Sequence, residues 1–95
     1  MSGSPVIAEG SVPRLAAHAR LRFDKQREQW VLLAPERIFV LDDIALAIVE
    51  RCQGRATLGE IVDDLARTFD APREEVLADT GALLQGFLDK GVMTL

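Results

Sequence analysis

One run of nine residues, Val31–Phe39, constrains the fold more than any other part of the chain. It reads Val-Leu-Leu-Ala-Pro-Glu-Arg-Ile-Phe, so two strand-like halves flank Pro35. Proline at the second position of a tight turn fixes φ there, which predicts an antiparallel pair of strands. The second strand ends its sheet, and an end strand has unpaired N–H and C=O groups that can pair with another chain. This geometry suits the binding of an extended peptide.

The residues before this pair add a third strand to the predicted sheet. Arg20–Asp24 alternates polar and apolar residues, which is the pattern of a half-buried strand. Residues 25–28 form a polar link of hairpin length. The second strand, residues 29–33, is apolar on both faces and is predicted to be central, and the third covers Ile38–Leu41. Because short links join neighbouring strands, we expect a meander in the order 1-2-3.

Three helices are predicted after the sheet. Asp42 can accept hydrogen bonds from the first-turn N–H groups of helix one. Thr57 and Glu60 form a capping box at the start of helix two. Pro72 lies in the first turn of helix three, which is expected to run to Lys90. Three strands followed by three helices predict an α+β fold of winged-helix-like shape.

Apolar stripes on these helices identify the expected core. The stripe of helix one contains Ile44, Ile48 and Cys52. The stripe of helix two recurs at helical spacing and comprises Leu58, Ile61, Val62, Leu65, Ala66 and Phe69. Helix three has an apolar arc about 140° wide, which can serve the core alone or the core and a groove beside the sheet. The last four residues, 92–95, form a β-like tail that either joins a sheet or packs loosely.

The distribution of charge argues against nucleic acid and membranes as partners. The net charge is −4. Residues 1–41 contain six basic and four acidic residues, whereas residues 42–95 contain five basic and eleven acidic residues. The acidic helical part would repel nucleic acid and anionic lipid.

The length and composition of the chain also indicate how many domains it forms and in which cellular compartment it acts. A chain of 95 residues makes one small domain. Residues 1–12 have no sustained periodicity and are predicted to be a disordered tail, followed by a folded domain over residues 13–95. The N-terminus lacks a basic region followed by an apolar run, so no signal peptide is visible. The single cysteine excludes an internal disulfide and suits a reducing cytoplasm, where we expect the protein to act.

No group of residues in the sequence points to catalysis, to a metal or to a cofactor. His18 has no second ligand at a suitable spacing. Asp63 and Asp64 are adjacent on helix two and diverge by about 100°, so their carboxylates do not converge. Cys52 has no histidine or basic neighbour that would activate its thiol. We therefore predict a protein that is not an enzyme.

Taken together, these segments resemble the PqqD family of pyrroloquinoline quinone (PQQ) biosynthesis. The resemblance covers about residues 13–95, and its most specific part is the segment Leu-Leu-Ala-Pro-Glu-Arg. The matching segments are Pro13–Leu15, Arg20–Asp24, Val31–Arg37, Leu41-Asp42 and Ile48, continuing through Gly54 and Thr57 to Ile61.

The resemblance implies a peptide chaperone without catalysis of its own. PqqD-like proteins bind the ribosomally made precursor peptide PqqA and present it to the radical SAM enzyme PqqE, which cross-links a Glu and a Tyr within that peptide. The same fold is the recognition element in many pathways that modify ribosomal peptides (RiPPs). In that broader group, the precursor lies along the third strand and the third helix.

Mapped onto this chain, the resemblance implies a peptide-binding site with two walls. The strand edge comprises Arg37, Ile38, Phe39, Val40 and Leu41, and the helical wall comprises Asp79, Leu83, Phe87 and Lys90. An added strand gains backbone hydrogen bonds, while side-chain pockets give selectivity. Phe39, Leu83 and Phe87 are the candidates for selectivity. If the strand has the opposite register, Ile38 and Val40 take that role instead.

Two other classes of function remain open at this stage. A winged-helix DNA-binding protein needs a basic recognition helix. Helix three instead carries Glu74, Glu75, Asp79 and Asp89 against Arg73 and Lys90. The other class is a dimerisation module in which the exposed edge pairs with a second copy. A homodimer through that edge is compatible with peptide binding by the same residues.

Overall fold

The computed structural model describes residues 5–95, which form five strands and three helices. Residues 1–4 of the predicted tail lie outside the described residues. The elements in chain order are β1 Arg14–Leu15, β2 Arg20–Asp24, β3 Gln29–Ala34, β4 Arg37–Leu41, α1 Asp43–Glu50, α2 Leu58–Thr68, α3 Arg73–Asp89 and β5 Met93–Thr94.

The predicted antiparallel meander is confirmed, and the fold is α+β. Strands β2, β3 and β4 pair in that order, and β3 is central. Strand β5 forms a separate small sheet with β1, in which Arg14 is opposite Thr94 and Leu15 is opposite Met93. The C-terminal tail therefore joins a sheet, which is separate from the sheet that contains β4.

The turn between β3 and β4 is the tight turn that Pro35 predicts. Only Pro35 and Glu36 separate the two strands, and Ala34 is directly opposite Arg37. Glu36 has a φ of 61°, in the left-handed region that the third position of a type II turn requires. This turn fixes the register of the whole β3–β4 pair.

The register also decides which side chains of β4 face the core. Phe39 is opposite the fully buried Leu32, and it packs against the core. Ile38 and Val40 point to the other side of the sheet, where they are 67% and 62% exposed. We call the side that faces the helices the inner face and the opposite side the outer face.

The predicted caps of α1 and α2 are confirmed, and Pro72 is the N-cap of α3, one residue before its first turn. Asp42 Oδ1 accepts a hydrogen bond of 2.7 Å from the backbone N–H of Ala45. The capping box is complete, because Glu60 N–H donates to Thr57 Oγ1 at 3.1 Å and Thr57 N–H donates to Glu60 Oε1 at 2.8 Å. These bonds satisfy donors that have no partner within the helix.

The core lies between the inner face of the sheet and the three helices. It includes Leu32 and Leu41 from the sheet and the buried stripe Leu58, Ile61, Val62 and Leu65 of α2. Two members of the predicted stripes are exposed: Ile44 is 57% exposed and Phe69 is 44% exposed. Each lies at the end of its helix, in the first turn of α1 or just after α2, where the apolar stripe extends past the packed core.

Residues 5–12 differ from the expectation of a disordered tail, because they make hydrogen bonds to α2 and α3. The first two N–H groups of α2 donate to the carbonyls of Ser11, at 2.7 Å, and Glu9, at 2.9 Å. The Ile7 N–H donates to the side chain of Gln85, and the Glu9 carboxylate forms an ion pair of 2.6 Å with Arg73. The segment thus supplies acceptors that α2 lacks on its own.

Within residues 5–95, no helix combines the length and the apolar character that crossing a membrane requires.

Candidate functional site

The edge of β4 that faces away from β3 is unpaired. The sheet ends at β4, and no described residue forms a strand on its far side. Strand β5, at the C-terminal end of the chain, pairs with β1 instead. An exposed edge of five residues is therefore available to another extended chain.

Two residues of β4 direct their backbone groups to this edge. The residues that flank a two-residue turn form a hydrogen-bonded pair, so the N–H and C=O of Arg37 point to Ala34. Hydrogen-bonded and non-hydrogen-bonded pairs alternate along antiparallel strands. Phe39 therefore bonds to β3, whereas the N–H and C=O groups of Ile38 and Val40 point outward. An added strand would bond to these two residues.

Helix α3 lies beside the inner side of this edge. The rings of Phe39 and Phe87 meet edge to face, with centroids 5.5 Å apart and an angle of 70° between their planes. The helical residues that the sequence assigns to the groove, Asp79, Leu83, Phe87 and Lys90, fall within an arc of about 80° by steps of 100° per residue. We call the surface between the β4 edge and this flank of α3 the β4–α3 groove.

A hydrogen bond crosses one end of the β4–α3 groove. The Arg37 guanidinium donates from Nη1 to the backbone carbonyl of Lys90, at 3.1 Å. Lys90 is the C-cap of α3, so two positive side chains lie where the helix dipole is negative. Along α3, Asp79 lies about 16 Å from Lys90 by the helical rise of 1.5 Å per residue. The two ends of the groove thus carry opposite charges.

An apolar cavity of about 130 Å³ adjoins the Asp79 end of the groove. Its lining comes from all three helices and includes Ile44, Phe69, Val76, Asp79 and Thr80. Sequence analysis missed Ile44 and Phe69 as site residues, because it assigned both to the core. Both residues lie at the end of a helix in the sequence. A residue of an apolar stripe at such a position can lie beyond the packed core and remain exposed.

The nine predicted site residues divide into four groups by where the structure places them. Four meet at the Lys90 end of the groove, as the pairs Arg37–Lys90 and Phe39–Phe87. Leu41 is buried in the core, so its side chain is not accessible to a guest. Ile38 and Val40 offer backbone groups to the edge and side chains to the outer face. Leu83 is half-buried on the groove flank of α3, and Asp79 is exposed.

Three titratable side chains of α2 and the core, those of Cys52, Asp63 and Asp64, are buried or paired. Among the described residues, no group of three or more potential ligands could hold a metal ion. Burial raises the pKa of the Cys52 thiol to about 12, and its Sγ donates to the Ile48 carbonyl at 3.2 Å. The adjacent Asp63 and Asp64 bind different arginines, because Asp63 pairs with Arg73 and Asp64 accepts a hydrogen bond of 2.6 Å from Arg51.

Comparison with known sequences identifies one family. Residues 29–93 match the family of coenzyme PQQ synthesis protein D (PqqD). The chain is 44% identical to a PqqA binding protein of Bradyrhizobium diazoefficiens over 93% of this chain and 85% of the relative. It is also 44% identical to a PqqA binding protein of Xanthomonas campestris pv. campestris, over 94% of this chain and 97% of the relative.

Two solved structures share the fold. One is the solution structure of the PqqD part of Methylobacterium extorquens PqqCD, described as a functional, stand-alone RiPP recognition element. It is 42% identical, with a TM-score of 0.80 over 94% of this chain and 95% of that one. The other is the crystal structure of PqqD from Xanthomonas campestris, 43% identical with a TM-score of 0.60 over 94% of this chain and 99% of that one.

Proposed function

Since this chain belongs to the PqqD family, we propose that it binds the precursor peptide PqqA and presents it to the radical SAM enzyme PqqE in PQQ biosynthesis. The names of its relatives, PqqA binding protein, support the first part of this proposal. The structural observation that carries it is the unpaired β4 edge beside the Phe39–Phe87 contact. The protein acts by binding, and PqqE performs the chemistry.

In the proposed complex, PqqA adds a fourth strand to the sheet. Its backbone bonds to the outward N–H and C=O groups of Ile38 and Val40, and these bonds tolerate many sequences. Alternate side chains of the peptide enter the groove and meet Phe39 and Leu83, whereas Phe87 is 6% exposed and supports the Phe39 ring from the core. The apolar cavity beside Asp79 is placed to receive one further apolar side chain. Selectivity for PqqA then comes from the inner-facing half of its residues.

The charges at the two ends of the groove give the peptide a preferred direction. Acidic residues of PqqA are favoured near Arg37 and Lys90, and basic residues are favoured near Asp79. These groups are exposed, so salt weakens this preference. The peptide loses conformational freedom when it becomes ordered in the groove, which keeps the affinity moderate and permits release after modification.

The other classes of function receive less support. The acidic residues that sequence analysis found on α3, among them Glu74 and Glu75, are exposed, which disfavours contact with DNA phosphates. A homodimer through the β4 edge would occupy the proposed peptide site, so we expect PqqA and a second copy to compete for it. The buried, unpaired Cys52 suits a reducing cytoplasm, where we propose that the protein acts.

Amide hydrogen exchange of the full chain with and without synthetic PqqA tests the proposal. The amides of Ile38 and Val40 should become protected when the peptide binds, because they gain partners. The amides of Arg37 and Phe39 already bond to β3 and should change less. Strand β2, the other edge of the same sheet, is the internal control. Protection confined to β2, or no protection in either edge strand, would contradict strand addition at β4.

A further inference from the structure

The outer face of the sheet carries two parallel rows of side chains, each with the same chemistry. The register places Arg20 beside Leu33 and Ile38 in one row. It places Arg22 beside Val31 and Val40 in the other. Each row therefore runs from an arginine on β2, through an apolar residue on β3, to an exposed apolar residue on β4. Among residues 5–95, no helical residue lines the concave surface over this face.

The arginines of these rows are available to a partner. Arg20 and Arg22 are exposed, and neither forms an ion pair or a side-chain hydrogen bond with any residue in 5–95. Lys25 and Arg27 line the same concave surface, beside the hairpin between β2 and β3. The one acidic side chain in that lining is Asp24, and its Oδ1 accepts hydrogen bonds from two backbone N–H groups of the hairpin. The outer face is thus basic over β2 and apolar over β4.

Strand addition would extend both rows by one residue. Successive side chains of a strand point to opposite faces, so half of the peptide side chains would project onto the outer face next to Ile38 and Val40. Strands lie about 4.8 Å apart, so each extended row would span about 15 Å from the arginine to the peptide. A partner surface of that width would contact the arginines of β2, the apolar side chains of β4 and the bound peptide at the same time.

We propose that the outer face is the docking surface for the enzyme that modifies the bound peptide, through an enzyme surface with carboxylates beside apolar side chains. This inference rests on the proposed function, because the guest completes the surface. It assigns separate roles to the two faces: the inner face selects the peptide, and the outer face meets the enzyme. The enzyme then binds the loaded protein more tightly than the free one. By reciprocity, it strengthens the binding of the peptide by the same factor.

The variant Arg20→Glu/Arg22→Glu, made in the full chain, tests this surface. The affinity for PqqE should fall about tenfold or more, because two charge contacts become repulsive. The affinity for PqqA should stay within about twofold, since neither arginine lies in the β4–α3 groove. The matched control is Arg55→Glu, an exposed arginine in the loop between α1 and α2. It makes the same kind of charge change away from the sheet and should leave both affinities unchanged.

Several outcomes would overturn the docking surface. Wild-type affinity of the double variant for PqqE would do so, and so would an equal loss with Arg55→Glu, which would indicate a general charge effect. If circular dichroism finds the double variant unfolded, Arg22→Gln replaces it, with a smaller loss expected in the same direction. Failure of wild-type protein to bind PqqA would contradict the proposed function instead. In that case, titration of PqqE with the peptide-free variants would still test whether Arg20 and Arg22 contribute to enzyme binding.

Discussion

The Phe39 ring, from the last strand of the sheet, and the Phe87 ring, from the last helix, meet edge to face at a centroid distance of 5.5 Å. Aromatic pairs in this geometry contribute about 0.5–1.5 kcal/mol beyond the burial of their surface. The contact holds α3 beside β4 and leaves the backbone edge of the strand uncovered. A rigid inner wall therefore lies next to the groups that would receive a guest strand.

Proline substitutions in β4 should separate peptide binding from stability. Val40→Pro removes an N–H that points to the free edge, so the sheet keeps its internal bonds while the affinity for PqqA falls about tenfold or more. Phe39→Pro removes an N–H that bonds to β3, so it should lower the melting temperature as well. Isothermal titration calorimetry and thermal melts of both variants check this. A folded Val40→Pro variant with normal affinity would exclude strand addition at β4.

Leu65→Ala should act through stability alone. Leu65 is 2% exposed at the centre of α2, and truncation of a buried leucine to alanine costs about 2–5 kcal/mol. Urea denaturation gives the change in the free energy of unfolding. The exposed Glu74→Ala on α3 is the control and should stay within about 0.5 kcal/mol. Unchanged unfolding of Leu65→Ala would mean that α2 does not pack in the core.

Removal of residues 1–11 should weaken the fold without affecting the groove. The deletion takes away two carbonyl acceptors of α2 and the ion pair between Glu9 and Arg73. Loss of a helix cap costs about 1–2 kcal/mol, which urea denaturation can measure. Gln85, which binds this segment, lies about 200° around α3 from Leu83 and from Phe87, so the affinity for PqqA should not change. An unchanged free energy of unfolding would show that the segment contributes nothing to the fold.

The buried thiol of Cys52 should make the fold sensitive to alkali. Burial raises its pKa from the ordinary 9.0 to about 12. Between these values the unfolded chain releases the thiol proton and the folded chain keeps it. The stabilisation is therefore complete below pH 9, and the free energy of unfolding falls by at most about 1.4 kcal/mol per pH unit above it.

Urea denaturation from pH 8 to pH 11 measures this slope. The chain contains no tyrosine, so no phenol titrates in the same range. Cys52→Ala should remove the thiol contribution to the slope, and its absolute stability should be lower because the side chain is buried. An identical slope in Cys52→Ala would contradict the assignment. Rapid alkylation of the native protein by iodoacetamide at pH 8 would contradict it as well.

Local patterns were sufficient to predict strands β2, β3 and β4, their meander and the starts of α1 and α2, but not strand β1. The Pro35 turn and the capping residues Asp42, Thr57 and Glu60 act on their immediate neighbours, so a short stretch of sequence contains the whole cause. The residues of the groove could be proposed only with the help of the family resemblance. Neither periodicity nor capping indicates which strand edge lies beside α3.

What the sequence did not reveal depends on distant contacts. Alternation along β4 cannot tell whether Phe39 or Ile38 faces the core, because both are apolar. Residues 5–12 have no periodicity, and the bond between Ile7 and Gln85 joins residues 78 positions apart. Ile44 is exposed because it lies in the first turn of α1, past the packed core. Helical periodicity alone does not show where the core ends. Each of these features belongs to tertiary structure.

The pairing of β1 with β5 has a consequence for fusion proteins. Because Met93 lies opposite Leu15, a linker attached after Leu95 would begin beside the first strand, in a sheet separate from that of β4. A neighbouring domain tethered there would leave the β4 edge open to substrate. Purification tags and reporter domains should therefore be tolerated at the C-terminus of this fold.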